Sequence, residues 1–126
     1  MANERAVDAF LLEHIDSVPH LEALLLLWNS RPRSWSVDEV ARSLFLTTDA
    51  TRVILGDLVR KDFISCAAAD CECCHYASRQ DHDETVAAVD MAYRKELIRV
   101  TRLIHSKPSA AVRAFAQAFR LKKDPE

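Results

Sequence analysis

The chain of 126 residues contains one glycine, Gly56. Tight turns, bulges and backbone phosphate cradles draw on glycine, which alone enters the left-handed backbone region freely. An all-β fold and a Gly-rich nucleotide loop are therefore disfavoured, and a mainly helical fold is the default. Hydrophobic residues make up 49% of the chain, enough for one domain with a real core rather than a disordered segment.

The helices are legible in order. Asn3 caps a first helix over about 4–16, with Val7, Phe10, Leu11 and Ile15 on one face. Pro19 restarts the pattern, and the Leu-rich stretch to Asn29 is apolar on nearly every side, so it belongs at the centre. Its longest unbroken apolar run, Ala23 to Trp28, is far short of the roughly 20 residues of a membrane span. Ser36 and Glu39 form a capping box, with Trp35 and Val40 placed to staple it. That predicts a short helix from Val37 to about Phe45, burying Val40, Ala41 and Leu44. Thr47 caps a fourth helix reaching about Lys61, with Ala50, Ile54, Leu55, Leu58 and Val59 inside. Phe63–Cys66 and Cys73–Ala77 turn extended and read as a β-hairpin. One long helix is then expected from Asp81 to about Ile104, followed by a last helix from Pro108 to about Leu121.

The stretch Ser36–Ser65, SVDEVARSLFLTTDATRVILGDLVRKDFIS, resembles the winged helix-turn-helix regulators of the general MarR and ArsR kind. Capped helix, short turn, recognition helix and an apolar lead into the wing follow in order, and the Leu-rich helix matches the family's supporting helix. The resemblance covers about residues 18–78. It implies a mainly α fold with a small β-hairpin: a winged helix-turn-helix domain with its N-terminal helix over 1–80, and a C-terminal helical extension over 81–126. Phe45 and Asp62 stand where the family has glycine, so a turn wider than the family norm is expected.

The resemblance further implies a sequence-specific transcription regulator that inserts helix 47–61 into the major groove of double-stranded DNA. Thr47, Thr48, Asp49, Arg52 and Val53 would reach base edges, with Arg52 suited to bidentate pairing with guanine. Arg42, Arg60 and Lys61, with Arg31 and Arg33, would hold phosphates, and Gly56 would allow close approach. Acids such as Asp49 and Asp57 within the same region, and Asp70 and Glu72 at the hairpin tip, oppose a phosphate backbone. Winged helices also serve as protein-interaction modules. A module acting through its C-terminal helices, and a thiol- or metal-responsive sensor, therefore stand as alternatives.

The charge is unevenly spread. Residues 1–30 carry one Arg against five acids, residues 66–90 one Arg against six, and residues 91–126 nine bases against three acids. Lys95, Arg99 and Arg102 share a helical face and are placed to pair with the acidic N-terminal helix. The stripe Val86, Val89, Tyr93, Leu97, Val100 and Ile104 would pack on the first helix or form a homodimer interface, since two-fold symmetry matches a palindromic site.

The acidic amphipathic start lacks the basic and apolar character of a secretory signal. A cytoplasmic protein is therefore expected, and in that compartment cysteines are thiols or metal ligands more often than disulfides. Cys66, Cys71, Cys73, Cys74 and His75 cluster around the hairpin. On a strand Cys71, Cys73 and His75 share one face, Cys74 points away, and Cys66 could join the first three from the facing strand. Zinc or another thiophilic metal, a redox switch, and plain burial as small hydrophobes are three readings of that cluster. No Ser-His-Asp arrangement, phosphate loop, dinucleotide fingerprint or His-Glu-x-x-His pair is present, so the sequence points to binding and not to an enzyme.

Overall fold

The computed structural model describes residues 3–66 and 73–107. The expected helix from Pro108, the hairpin tip and Cys71 lie outside them. Six helices and two short strands run in the order α1 (Glu4–His14), α2 (Val18–Asn29), α3 (Val37–Leu44), α4 (Thr48–Arg60), β1 (Ile64–Cys66), β2 (Cys74–Tyr76), α5 (Gln80–Lys95) and α6 (Leu97–His105). The architecture is mainly helical with a small antiparallel hairpin, as the pattern predicted. No described helix is long and apolar enough to cross a membrane.

Local chemistry sets the boundaries. Asn3 accepts from the N–H of Ala6 at 2.9 Å and caps α1. Ser17 caps α2 through the N–H of His20, with Pro19 in the first turn. α2 forms the centre, with Leu21, Ala23, Leu24 and Leu27 fully buried. Around it pack α3, α4, α5, α6 and β2, while α1 lies against α5 and α6. An aromatic chain joins helices to hairpin: Phe10 meets Phe63 at 5.2 Å between ring centroids, Phe63 meets His82 at 5.1 Å, and Trp28 meets Tyr76 edge-on at 4.9 Å.

The hairpin pairs Ile64 with Tyr76, Ser65 with His75 and Cys66 with Cys74. Trp35, just ahead of α3, adds a bridge on the other edge of β2. The N–H of Trp35 donates to the Cys74 carbonyl and the N–H of Cys74 to the Trp35 carbonyl, both at 2.7 Å.

The long helix expected from Asp81 to Ile104 is in fact two. α5 ends at Lys95, the backbone of Glu96 (φ −131°, ψ 53°) leaves the helical region, and α6 starts afresh at Leu97. The break turns α6 onto α1, so that Val100 and Ile104 enter the core beside Val86 and Val89. Both stripes face one core, so the apolar spacing runs on through the break without a glycine or proline to mark it.

Candidate nucleic-acid interface

The helix-turn-helix unit is built by two caps around a three-residue turn. At the start of α3 the Ser36 hydroxyl accepts from the N–H of Glu39 at 3.1 Å, and a Glu39 carboxylate oxygen accepts from the N–H of Ser36 at 2.9 Å. Those bonds, with Arg33 beside it, hold the Glu39 carboxyl below the usual range. At the end of α3, Phe45 takes a left-handed backbone (φ 57°, ψ 46°). The N–H of Leu46 then reaches back five residues to the Ala41 carbonyl at 2.9 Å, closing a Schellman turn. α4 ends the same way: Asp62 is left-handed at φ 65°, and the N–H of Phe63 reaches the Leu58 carbonyl at 3.1 Å. The turn is thus not widened. Both substituted residues keep the backbone a glycine would take, which costs a residue with a side chain about 1–2 kcal/mol.

Thr47 caps α4, its hydroxyl accepting from the N–H of Ala50 at 3.1 Å. Thr51, Ile54, Leu55 and Leu58 face inward. The burial of Thr51 goes beyond the sequence reading; its hydroxyl donates to the Thr47 carbonyl at 2.8 Å, so no polar group is stranded. Asp49, Arg52 and Val53 face solvent, and Thr48 is half-buried at the edge. Arg52 lies 3.8 Å from Asp49 one turn back. Arg42, in the last turn of α3, is exposed and has no ion-pair partner among the described residues. It shares an open cleft with Asp38, Ala41, Phe45, Leu46 and Thr48.

The other expected phosphate contacts are engaged within the chain. Arg60 pairs with Asp57, which also accepts from His20 Nε2 at 2.9 Å, while Ser17 Oγ lies 2.6 Å from His20 Nδ1. Lys61 is turned away from the outer face. Its ammonium donates to the His14 carbonyl at 2.6 Å and to Asp16 at 3.3 Å, where it caps the end of α1. Arg31 stacks 3.5 Å over the Trp28 ring, and Arg33 stacks 3.8 Å over Trp35 while pairing with Glu39. The spacing of Asp57 and Arg60 one helical turn apart already signalled an internal pair. The reach of Lys61 to α1 depends on tertiary packing and had no local signal.

The cysteines are arranged differently from the expected ligand set. Cys66 faces Cys74 directly across the hairpin, and the two form a disulfide with Cα atoms 4.2 Å apart. The register gives Cys66 the face of Cys74, not that of Cys73 and His75, which corrects both the ligand grouping and the expectation of free thiols. Cys74 is fully buried, His75 half-buried, and Cys73 is an exposed free thiol. The group of potential metal ligands that does converge among the described residues is Asp16, His20 and Asp57. The cations of Arg60 and Lys61 already occupy its carboxylates.

The stripe on α5 and α6 is largely spent inside the chain. Val86, Val89, Val100 and Ile104 are buried in its own core, so they offer no surface to a second subunit. The Tyr93 hydroxyl donates to Glu22 at 3.1 Å; burial and that carboxylate push its pKa up to about 12. Leu97 alone of the stripe is exposed, and Met91 and Ile98 are exposed near it in sequence. Arg99 meets Asp8 at 3.0 Å and Glu4 at 3.6 Å, so of the three bases expected to pair with acids of α1 it is Arg99 that does so.

A helix-turn-helix followed by a hairpin wing, on a supporting helix and with flanking helices, is the winged helix-turn-helix fold. Among solved structures the chain is similar to MepR, a transcription regulator of the Staphylococcus aureus multidrug efflux pump MepA. The TM-score is 0.54 at 16% identity, over 94% of this chain and 85% of that one. It is similar also to Rv1404 from Mycobacterium tuberculosis, with TM-score 0.52 and 17% identity over 97% of this chain and 86% of that one. No protein-family model and no curated protein matches the sequence.

Proposed function

We propose that this chain is a cytoplasmic, homodimeric DNA-binding regulator that places α4 in the major groove and acts by binding, not catalysis. The observation that carries this reading is the outer edge of α4. Asp49, Arg52 and Val53 stand in solvent directly after a tight turn, while the opposite face of the helix is locked in the core. Arg52 supplies a planar donor fork for guanine, Val53 an apolar contact for a thymine methyl, and Arg42 a phosphate contact beside the groove. The likeness of the fold to MepR supports the same reading. Two-fold pairing would present two α4 helices to a palindrome.

The test is binding of labelled random and genomic duplexes at about 50 and 200 mM salt. A regulator of this kind loses affinity steeply as salt rises. Arg42→Ala should weaken all sequences alike and lower the salt slope by about 1, whereas Arg52→Ala should cost about 1–3 kcal/mol on the preferred site and relax its sequence preference. Absence of binding at low salt, with wild type and Arg52→Ala indistinguishable, overturns the reading.

A further inference from the structure

Phe45 is 93% exposed, the most exposed large apolar side chain among the described residues. It sits at the left-handed position of the turn between α3 and α4. Folding accounts for neither property. The Schellman turn is closed by backbone groups of Ala41 and Leu46, so the ring contributes nothing to it, and glycine or asparagine would meet the backbone geometry with less strain. Asp62 shows the contrast: in the matching turn after α4, the strained position carries a polar residue. An aromatic side chain that sits where it strains the backbone and covers no core points to a contact outside the chain.

Its surroundings indicate what that contact is. The cleft beside Phe45 is lined by Arg42 and Thr48, with Asp38 one turn back along α3. Arg42 has no ion-pair partner among the described residues, and Thr48 opens the first turn of α4, where backbone N–H groups are not yet paired within the helix. Cationic and N–H donors beside a projecting apolar ring match the alternation of phosphate and deoxyribose along a nucleic-acid strand, with the ring against the sugar and the donors toward the flanking phosphates.

We propose that Phe45 is a duplex-contacting residue, packing on the deoxyribose wall of the groove that α4 enters. This rests on the DNA-binding reading above and adds to it an apolar anchor at the turn. Because the ring carries no charge, its contribution is independent of counterion release.

The experiment compares the full-length wild type with Phe45→Gly, Phe45→Asn, Phe45→Trp and Arg42→Ala, by thermal melting, by sedimentation, and by duplex binding across a salt series. Phe45→Gly and Phe45→Asn are expected to raise Tm by about 3–6 °C and to weaken duplex binding about tenfold at every salt concentration, with the salt slope unchanged. Phe45→Trp should bind within about threefold of wild type, and Arg42→Ala should lower the slope. If wild type binds DNA and Phe45→Gly binds it within twofold, the inference is wrong while the regulator reading stands. If wild type itself fails to bind at low salt, the regulator reading falls and takes this one with it. A change of oligomeric state in Phe45→Gly would assign the ring to a second copy of this chain and overturn the duplex contact.

Discussion

The ammonium of Lys107 donates to the backbone carbonyl of Ile15 at 2.5 Å, across a sequence separation of 92 residues. It also reaches the Leu11 carbonyl at 3.3 Å, and Lys61 holds the His14 carbonyl alongside. Two cations from distant parts of the chain thus satisfy the last carbonyls of α1 and complement its dipole. The Lys107 side chain is almost entirely buried. Lys107→Met keeps the aliphatic stem and removes the donor, and should cost about 1–3 kcal/mol in urea unfolding. A loss below about 0.5 kcal/mol would show that water replaces the ammonium freely.

The Cys66–Cys74 disulfide closes a short loop, its ends 8 residues apart in sequence. Constraining the unfolded chain in this way stabilises by about 2–3 kcal/mol. Thermal melting with and without a phosphine reductant should show a lower Tm in the reductant, and a Cys66→Ser, Cys74→Ala double variant should be insensitive to it. Equal melting of the wild type under both conditions would argue that the bond adds no stability.

Gly56 lies within α4 without a left-handed backbone, and a β-carbon there would meet only the Arg60 guanidinium, 3.7 Å away. Nothing in the folded chain requires glycine at this place. Gly56→Ala should therefore stabilise by about 0.5–1 kcal/mol through helix propensity. If Gly56→Ala folds more stably but binds DNA less well, the close-approach role suggested by the sequence gains support; equal binding removes it.

His14 packs against Phe10 and Phe63 at centroid distances of 5.2 and 5.4 Å. Burial, with Lys61 and Lys107 nearby, lowers its pKa below the ordinary 6.5, against the opposing pull of Glu13. The unfolded chain then takes up a proton at His14 before the folded one does. The stability this group contributes is present above about pH 6.5 and is lost as pH falls through the depressed value. Tm measured from pH 7.5 to 5 should decline less in His14→Gln than in wild type. Parallel curves would rule out His14 as a source of the acid sensitivity.

What the sequence disclosed was what neighbouring residues decide among themselves. The Ser36–Glu39 box, the Thr47 cap, Ile54, Leu55 and Leu58 on the inward face of α4 and the two extended segments all rest on interactions spanning a few residues, and they lie where the pattern placed them, whereas Thr51 is buried and Ala50 and Val59 are only half-buried. The left-handed backbone at Phe45 and Asp62 was foreshadowed by glycine at the matching positions of the resembling family, but the full exposure of Phe45 was not. Contacts between distant segments were hidden. Lys61 looked like surface charge until α1 was beside it. The partner of Cys66 depended on a register that sequence spacing left open. The division at Glu96 had no marker, because Val86, Val89, Val100 and Ile104 serve one core from two helices. Of the candidate interface, Asp49, Arg52 and Val53 could be read as outward from helical period alone. Which cations remain unpaired needed the fold.

The paired bonds between Trp35 and Cys74 give β2 a neighbour on both edges, so the wing is not a ribbon hung from the body by its two ends. Tension on the hairpin is delivered to the residue directly ahead of the Ser36 cap, and from there to the first turn of α3. Lifting the wing would mean breaking that seam, so the stem is mechanically coupled to α3.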